Sequence, residues 1–339
     1  MIRVLSHNHI PMTKQTTKRQ NKEVAQKPGK RKKATYQVRN WHEYNEALKQ
    51  RGALDVWIEE SVVEEWYQPA TGKRGAPVIY SDLAITTTLQ FGKVFGQKLR
   101  QTEGLVASVF SLMGLSLKVP NFATLSRRGE TVAVTLPLAS KESVTIIADS
   151  SGLKVYGEGE WKVRQHGYSK HRTWRKIHLA ITPDGEIRAV ETTENSIIDS
   201  DVVPALLEQE PAKISAFAGD GAYDKRRVYD ACREREVKRI LVPPQENAKI
   251  WKHGNGAGPP HLRDENLRAI RKTSRRQWKE KVGYHVRSLV ETGMFRFKTI
   301  FGDRLDARNL LQQKTEVRIK AAILNHMWRL GMPKSYLVT

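Results

Sequence analysis

Two aspartates follow short apolar runs that have the composition of buried β-strands. Asp149 comes at the end of SVTIIAD and Asp220 at the end of ISAFAGD, and small residues common in turns follow each one. Two neighbouring strands that end in aspartate would present two hard oxygen ligands at one sheet edge, the arrangement that Mg²⁺ or Mn²⁺ requires. One such aspartate alone is more often a turn or helix cap, so the prediction depends on the pair.

A third acid lies on a predicted helix in the segment YHVRSLVETGMFRFKTIF. At about 100° per residue, four polar residues fall within an arc of roughly 60°, away from the apolar face: Tyr284, Arg287, Glu291 and Lys298. A glutamate between Arg and Lys on one face could equally belong to a surface ladder of ion pairs. The two strand-end aspartates favour a catalytic role for Glu291 instead.

The elements that would carry these acids alternate between strands and helices from Ser143 onward. The predicted order is β-β-β-α-β-α-β-α, which indicates an α/β fold. Open α/β sheets build their sites at the carboxyl ends of strands, where the aspartates stand. In chain order, the predicted elements are 143–149, 174–182, 186–193, 201–208, 214–220, 225–235, 239–244 and 284–301.

The preceding segment, 41–140, has helical periodicity and is predicted to be a helical DNA-binding domain. Within it, residues 105–133 are compatible with a helix-turn-helix motif that brings Arg127 and Arg128 to the major groove of DNA. An ordinary helical hairpin with a solvated pair of arginines fits the same pattern.

The chain is strongly basic, since 58 Lys and Arg against 36 Asp and Glu leave a formal charge of +22 on 339 residues. Such a field makes a polyanion the expected partner. Residues 1–40 carry eleven Lys and Arg, one acid and little apolar material, which predicts a disordered basic arm. The arm either contacts nucleic acid or is merely solvated. A second basic block, 221–300, has a net charge of +11.

Composition also excludes several classes of protein. One cysteine, Cys232, rules out a disulfide framework and a multi-thiolate zinc site. No apolar run approaches the roughly 18–20 residues that span a bilayer, so a cytoplasmic protein with no membrane partner is expected. The G-x-S-x-G and P-loop motifs are absent, which argues against a hydrolase triad and against ATP-driven chemistry.

Several motifs together resemble bacterial insertion-sequence transposases with a DDE catalytic triad. They are IIADSSGLKVYGEGEW around Asp149, GDGAYD around Asp220, and the Tyr-x2-Arg-x3-Glu-x6-Lys pattern that contains Glu291. The likeness extends over nearly the whole chain through YSDLAITTTL, LRQTEG, LSRRGE, HGYSKHRTWRKIHLAI and LVPPQENAK. The four-residue signature near the carboxyl end is specific when both aspartates accompany it.

The resemblance implies an RNase H-like mixed-sheet catalytic domain over 141–305, with a short basic link at about 245–283, and a carboxyl-terminal helix in 306–339. It implies a transposase that binds the terminal inverted repeats of its insertion sequence and catalyses metal-dependent DNA cleavage and strand transfer. DNA is therefore the expected partner. The protein is expected in the bacterial cytoplasm, associated with the nucleoid. Joining of two transposon ends implies a homodimer or a larger assembly.

The resemblance also assigns roles to matching positions. Two Mg²⁺ ions, or Mn²⁺, about 4 Å apart are expected on the triad of Asp149, Asp220 and Glu291. Arg287 and Lys298 are expected to grip phosphates near the scissile bond, and Tyr284 to stack on or hydrogen-bond to the strand end.

Other residues keep both a functional and an ordinary interpretation. The loop 162–175, with Arg164 and Lys170, either contacts DNA or is solvated. Trp251 either stacks on a base or packs. Asp224 and Asp184 are further acids that could take the place of a member of the triad.

The pattern favours Asp224 as a helix cap, Asp184 as a turn former, and His178 as a core or edge residue of a strand. Two other functions also remain open. One is a non-catalytic DNA-binding repressor that uses the arm and the upstream helices. The other is an RNase H-like nuclease that cuts without strand transfer.

Overall fold

The structure is a computed structural model and describes residues 35–58, 60–69, 79–155, 174–252 and 260–338. Residues 40–333 form one unit, and the segments before and after them form another. Most of the predicted arm lies outside the described residues, and so do Arg164 and Lys170, with most of the loop that contains them.

Residues in helices outnumber residues in strands in the described chain. The helices are α1 (Trp41–Gln50), α2 (Glu60–Glu64), α3 (Asp82–Val94), α4 (Leu99–Leu112), α5 (Phe122–Arg128), α6 (Asp199–Glu208), α7 (Arg226–Glu234), α8 (Leu262–Lys272), α9 (Arg275–Val282), α10 (Ser288–Phe301) and α11 (Leu310–Leu330). Single 3₁₀ turns occur at Asp55–Trp57, Gly221–Tyr223 and Tyr284–Arg287.

The strands are β1 (Thr35–Val38), β2 (Ser143–Val155), β3 (Trp174–Ile181), β4 (Ile187–Glu194), β5 (Lys213–Ala218), β6 (Arg239–Leu241), β7 (Arg304–Leu305) and β8 (Ser335–Val338). The main sheet has the order β4-β3-β2-β5-β6, with β7 beside the end of β2. The first three of its strands, β2 to β4, are antiparallel neighbours, whereas β5 and β6 run parallel to β2. This mixed sheet confirms the α/β class and agrees with the RNase H-like arrangement that the resemblance implies.

Strand β2 continues past Asp149, where the sequence predicts its end. Residues 150–154 stay in the antiparallel ladder with β3, as far as Lys154 opposite Trp174, and the strand then pairs with β7. Gly152 lies against the Trp174 ring, where an added Cβ would come 3.1 Å from Cε3. The Ser-Ser-Gly run is therefore strand and not turn, because its neighbours supply the pairing and the glycine makes room for the indole.

Both faces of the sheet are covered, and one cluster of apolar side chains joins the upstream helices to the sheet. Phe91 of α3, Ile147 of β2, Phe297 of α10 and Ile323 of α11 belong to this cluster and are at most 1% exposed. Helices α6 and α7 cover the opposite face. The predicted boundary near residue 140 is therefore not a break between two cores.

Helices α4 and α5 depart from a helix-turn-helix motif. Residues 113–121 separate them, which is longer than the roughly three to four residues of that turn, and α5 has only seven residues. Arg128 donates a hydrogen bond to the Tyr80 carbonyl at 3.0 Å and pairs with Asp82, so its side chain serves the fold. Arg127 is exposed. The hairpin is the better description, and a DNA contact by Arg127 stays a prediction.

The predicted basic link at 245–283 contains two helices, α8 and α9. Arg263 of α8 holds Asp224 through two bonds, Nε to Oδ1 at 2.6 Å and Nη2 to Oδ2 at 3.0 Å. The Arg263 guanidinium also lies 3.8 Å from the centre of the Trp251 ring. Asp224 is thus a buried ion-pair partner and not a helix cap, and Trp251 is a packing residue.

The smaller unit contains an antiparallel pair of strands. β1 pairs with β8 in the register Thr35 to Val338, and the Arg39 amide donates to the Lys334 carbonyl at 2.8 Å. Residues 35–38 of the predicted disordered arm are therefore ordered, because the carboxyl-terminal strand supplies their backbone partners. The predicted terminal helix is α11, and β8 follows it. Within the described residues, no helix is long and apolar enough to cross a membrane.

Two phenylalanines of α10 provide a test of how this helix packs. Phe297 is fully buried, whereas Phe295 is 68% exposed on the same helix. We expect Phe297→Ala to lower the free energy of unfolding by about 3–5 kcal/mol, because it removes a buried ring and leaves a cavity. Phe295→Ala should change it by less than about 0.5 kcal/mol. Urea unfolding of both variants measures this, and equal losses would contradict the packing described.

Candidate active site

Asp149 and Asp220 stand at the same level of the sheet. The parallel ladder between β2 and β5 ends with Ile147 opposite Ala218, so each acid follows that last pair at the same distance along the chain. β5 then stops, and Asp220 begins a 3₁₀ turn in which its Oδ1 accepts a hydrogen bond from the Ala222 amide at 2.9 Å. The parallel register is what brings the two carboxylates side by side.

Glu291 reaches the same place from α10. The chain enters this helix through Gly283, in the left-handed region at φ 74°, and the 3₁₀ turn Tyr284–Arg287. α10 lies on the sheet at Gly293, where an added Cβ would be in ordinary van der Waals contact with Ile181, 3.4 Å from its Cδ1. Buried Val290 and Phe297 fix the rotation of the helix, so Glu291 stays 58% exposed on the polar side.

One guanidinium connects all three acids. Nη2 of Arg287 lies 3.1 Å from Oδ2 of Asp149 and 3.9 Å from Oδ2 of Asp220. Nη1 of Arg287 donates a hydrogen bond to Oε1 of Glu291. The structure therefore brings together the three acids that the sequence predicts, from two strands and one helix, around a single cation.

The charges of this group shift the pKa values of its members. Burial raises the pKa of Asp149, with Asp220 and Glu291 acting in the same sense, against the opposing effects of the Ser150 amide and Arg287. Burial also disfavours the charged guanidinium, but the surrounding acids outweigh it, so the pKa of Arg287 is raised. A positive charge is thus strongly favoured at the point where the acids meet.

Lys298 and Tyr284 complete the polar side of this helical segment. Nζ of Lys298 donates a hydrogen bond to Oγ of Ser151 at 2.6 Å, two residues after Asp149 on β2. Tyr284 is half-buried, which raises the pKa of its hydroxyl, and the charges of all three acids and Arg287 reach it. Both residues are therefore beside the triad, as the helical arithmetic predicts.

Comparison with known families shows which family the chain belongs to. A family model described as "Transposase DDE domain" matches residues 140–326, more than half of the chain. The chain belongs to the DDE transposase family. A second model with the same description matches residues 49–158 of the transposase. Members of this family act on DNA and depend on divalent metal ions.

The three acids of the transposase are the chemical type of ligand that such an ion binds. Three carboxylates are the hard oxygen ligands that Mg²⁺ and Mn²⁺ take, and here they already converge on a cationic group. With Arg287 between them, the three carboxylates are too far apart to bind one metal ion together. Within the described ranges, no three His, Cys, Asp or Glu side chains are grouped closely enough to hold a metal ion. The residues that would hold the ion are Asp149, Asp220 and Glu291, and Arg287 lies among them.

Behind Asp149, on the other side of β2, the transposase has a polar layer that the sequence does not predict. Oγ of Ser150 donates to Oδ2 of Asp199 at 2.8 Å, and Nζ of Lys176 donates to Oδ1 of Asp199 at 3.1 Å. Asp199 opens α6, and the sequence offers only its helix-start position as a signal. Burial raises the pKa of the Tyr223 hydroxyl, and the negative charges of Asp149, Asp199 and Asp220 raise it further.

His178 and Asp184 have the ordinary roles that their patterns favour. His178 is fully buried opposite Ser150, and its Nε2 is 2.8 Å from Oγ1 of Thr193. Asp184 lies in the turn between β3 and β4, where it accepts a hydrogen bond from Lys141 at 2.9 Å. Neither residue contacts the triad.

Acid titration of His178 should be visible in the stability of the transposase. Burial lowers the pKa of His178 to about 4, whereas an unfolded histidine titrates near 6.5. As the pH falls below 6.5, the unfolded chain binds the proton first, so this residue reduces stability progressively down to about pH 4, by up to about 3 kcal/mol.

The variant His178→Gln keeps a hydrogen-bonding group for Thr193 and removes the titrating ring. We expect the loss of unfolding free energy between pH 6.5 and 4 to be smaller in this variant, measured by urea unfolding at each pH. His42→Gln, at an exposed histidine on α1, serves as the control. An unchanged pH dependence in His178→Gln would show that the ring is not buried in its neutral form.

Proposed function

We propose that this transposase binds the terminal inverted repeats of its insertion sequence, cleaves the DNA at their ends and transfers the freed strand into target DNA. The observation that carries the proposal is the convergence of Asp149, Asp220 and Glu291 on one point from β2, the end of β5 and α10. Three acids without a common cation would repel one another, so a fold that assembles them indicates cation chemistry.

In this proposal the three acids hold two Mg²⁺ ions, or Mn²⁺. The chemistry that such ions supply when bound is activation of an attacking oxygen and stabilisation of a leaving oxygen at phosphorus. Water would break the phosphodiester at the element end and leave a 3′ hydroxyl. That hydroxyl would then form a new bond to phosphorus in the target strand, with release of the target's own 3′ oxygen. No covalent bond to the protein is required.

The residues around the triad would position the DNA. Lys298 lies on the acids' side of β2 through its contact with Ser151, at a place where its charge can meet a phosphate. Arg287 offers a forked set of donors suited to phosphate oxygens. Tyr284, beside both, can hydrogen-bond to or stack on the end of the strand.

Other DNA contacts in the proposal lie away from the acids. Exposed Arg127 on α5, together with Arg164, Lys170 and the basic arm, would bind the DNA backbone. Two transposon ends must be held together for strand transfer, so we propose that the active form is a homodimer or a larger assembly.

Removing one acid should abolish cleavage without abolishing DNA binding. We expect Asp149→Asn, Asp220→Asn and Glu291→Gln each to lower cleavage of a terminal-repeat duplex in Mg²⁺ by at least about a hundredfold. Gel-shift affinity for the same duplex should change little. Glu234→Gln, at an exposed acid on α7, is the matched control and should cut normally.

The same assay separates the three candidate functions. Equal cutting by wild type and Glu291→Gln would show that the metal-triad hypothesis is wrong. A wild-type protein that binds the ends but cuts in neither Mg²⁺ nor Mn²⁺ would favour the repressor. Cleavage of ends that is never followed by joining to a target plasmid would favour the nuclease.

The basic arm should contribute affinity that depends on salt and not on sequence. Residues 1–34 carry ten Lys and Arg and one acid. Their deletion should weaken DNA binding and lower the slope of log affinity against log salt by about 0.9 for each phosphate that the arm neutralises. Metal-dependent cleavage of ends that are already bound should be spared. If the shortened protein fails to cut at saturating concentration, the arm has a role in catalysis that this proposal does not give it.

A further inference from the structure

Arg287 lies where a divalent ion would bring the three acids together. Its guanidinium contacts Asp149, Asp220 and Glu291. The guanidinium in this position and a metal ion on the triad exclude each other, because the same carboxylate oxygens would have to face both and the two cations repel each other. The Arg287 side chain therefore affects metal binding directly, in addition to any contact that it makes with phosphate.

We propose that Arg287 is an internal counter-cation that competes with the divalent metal for the triad and moves toward the DNA phosphate when the metal displaces it. The inference rests on the proposed metal role of the triad and adds a linkage to it. One side chain would neutralise the acids before metal binding and would neutralise a phosphate afterwards. Metal loading and the grip on DNA would then be coupled through a single guanidinium.

The contacts of Arg287 suit a side chain that can leave. Among the hydrogen bonds and ion pairs of the described residues, every partner of its guanidinium is one of the three acids, and its buried Nε has no hydrogen-bond partner. The side chain is 22% exposed, and Glu291, to which it binds, is 58% exposed. Loss of the acids to a metal would therefore remove all that holds the guanidinium, on the side that faces solvent.

Arg263 shows how a permanent arginine is held in the same protein. Its side chain is 5% exposed and binds both oxygens of Asp224, donates to the Lys249 carbonyl at 2.8 Å and stacks on Trp251. Ion pair, main chain and ring all fix its position. Arg287 has only the first of these three restraints, which is the difference expected between a structural arginine and one that exchanges partners.

A raised metal affinity on removal of the guanidinium is the distinguishing consequence. A residue that merely organised the acids would have the opposite effect, because three unneutralised carboxylates would move apart and bind metal more weakly. Lys298 provides the control for charge alone. It lies on α10, which begins directly after Arg287, and carries the same charge, but its Nζ contacts Ser151 and none of the three acids.

The test is Mn²⁺ binding to the full-length, DNA-free protein, followed by electron paramagnetic resonance of the free ion. We expect Arg287→Gln to bind Mn²⁺ about tenfold more tightly than wild type, within the range of ordinary coupling between sites. Lys298→Gln should stay within about twofold of wild type. Equal or weaker binding by Arg287→Gln would overturn the inference, and so would equal tightening in both variants.

Two further variants keep the outcomes distinguishable. Arg287→Lys retains the charge but cannot span three acids, so it should bind Mn²⁺ more tightly than wild type, and it replaces the Gln variant if that one fails to fold. Glu291→Gln should weaken Mn²⁺ binding. If it does while both Arg287 variants match wild type, only the competition is wrong. If all these proteins bind Mn²⁺ alike, the proposed metal site is wrong as well.

Discussion

Three carboxylates held at one point repel one another, and the structure depends on how that repulsion is offset. Asp149, Asp220 and Glu291 all contact Arg287, and the protein has no other cation on them among its described ion pairs. In the proposed function, the same repulsion would favour a divalent ion at this site and would require positive charge beside a DNA phosphate. Arg287 and Lys298, which lie at or beside the acids, both belong to the basic block 221–300.

The rest of the fold positions these acids. The parallel register between β2 and β5 brings Asp149 and Asp220 to one level, and α10 presents Glu291 from outside the sheet. α10 is held by its buried apolar face. α11 is anchored in turn to edge strand β4, since Asn325 exchanges hydrogen bonds with both main-chain groups of Ile187 at 2.8 and 2.7 Å.

Local sequence patterns predicted the structure correctly where it depends on one segment of the chain alone. The strands β3 and β4 and the polar side of α10 follow from alternation and helical period, and each is observed. Local patterns gave the wrong prediction where a residue far away in the sequence determined the structure. The Ser-Ser-Gly run after Asp149 has turn composition but lies in a ladder with β3, and Asp224 precedes a helix but binds Arg263.

The sequence by itself determined the family, the three acids and the basic neighbours of the third, because residue type and spacing along one strand or one helix carry that information. Tertiary structure alone decided that Arg287 bridges the acids, that Asp199 lies behind Asp149, and that the upstream helices share one core with the sheet. These are contacts between segments far apart in the chain. Their geometry depends on register and packing, which no local pattern encodes.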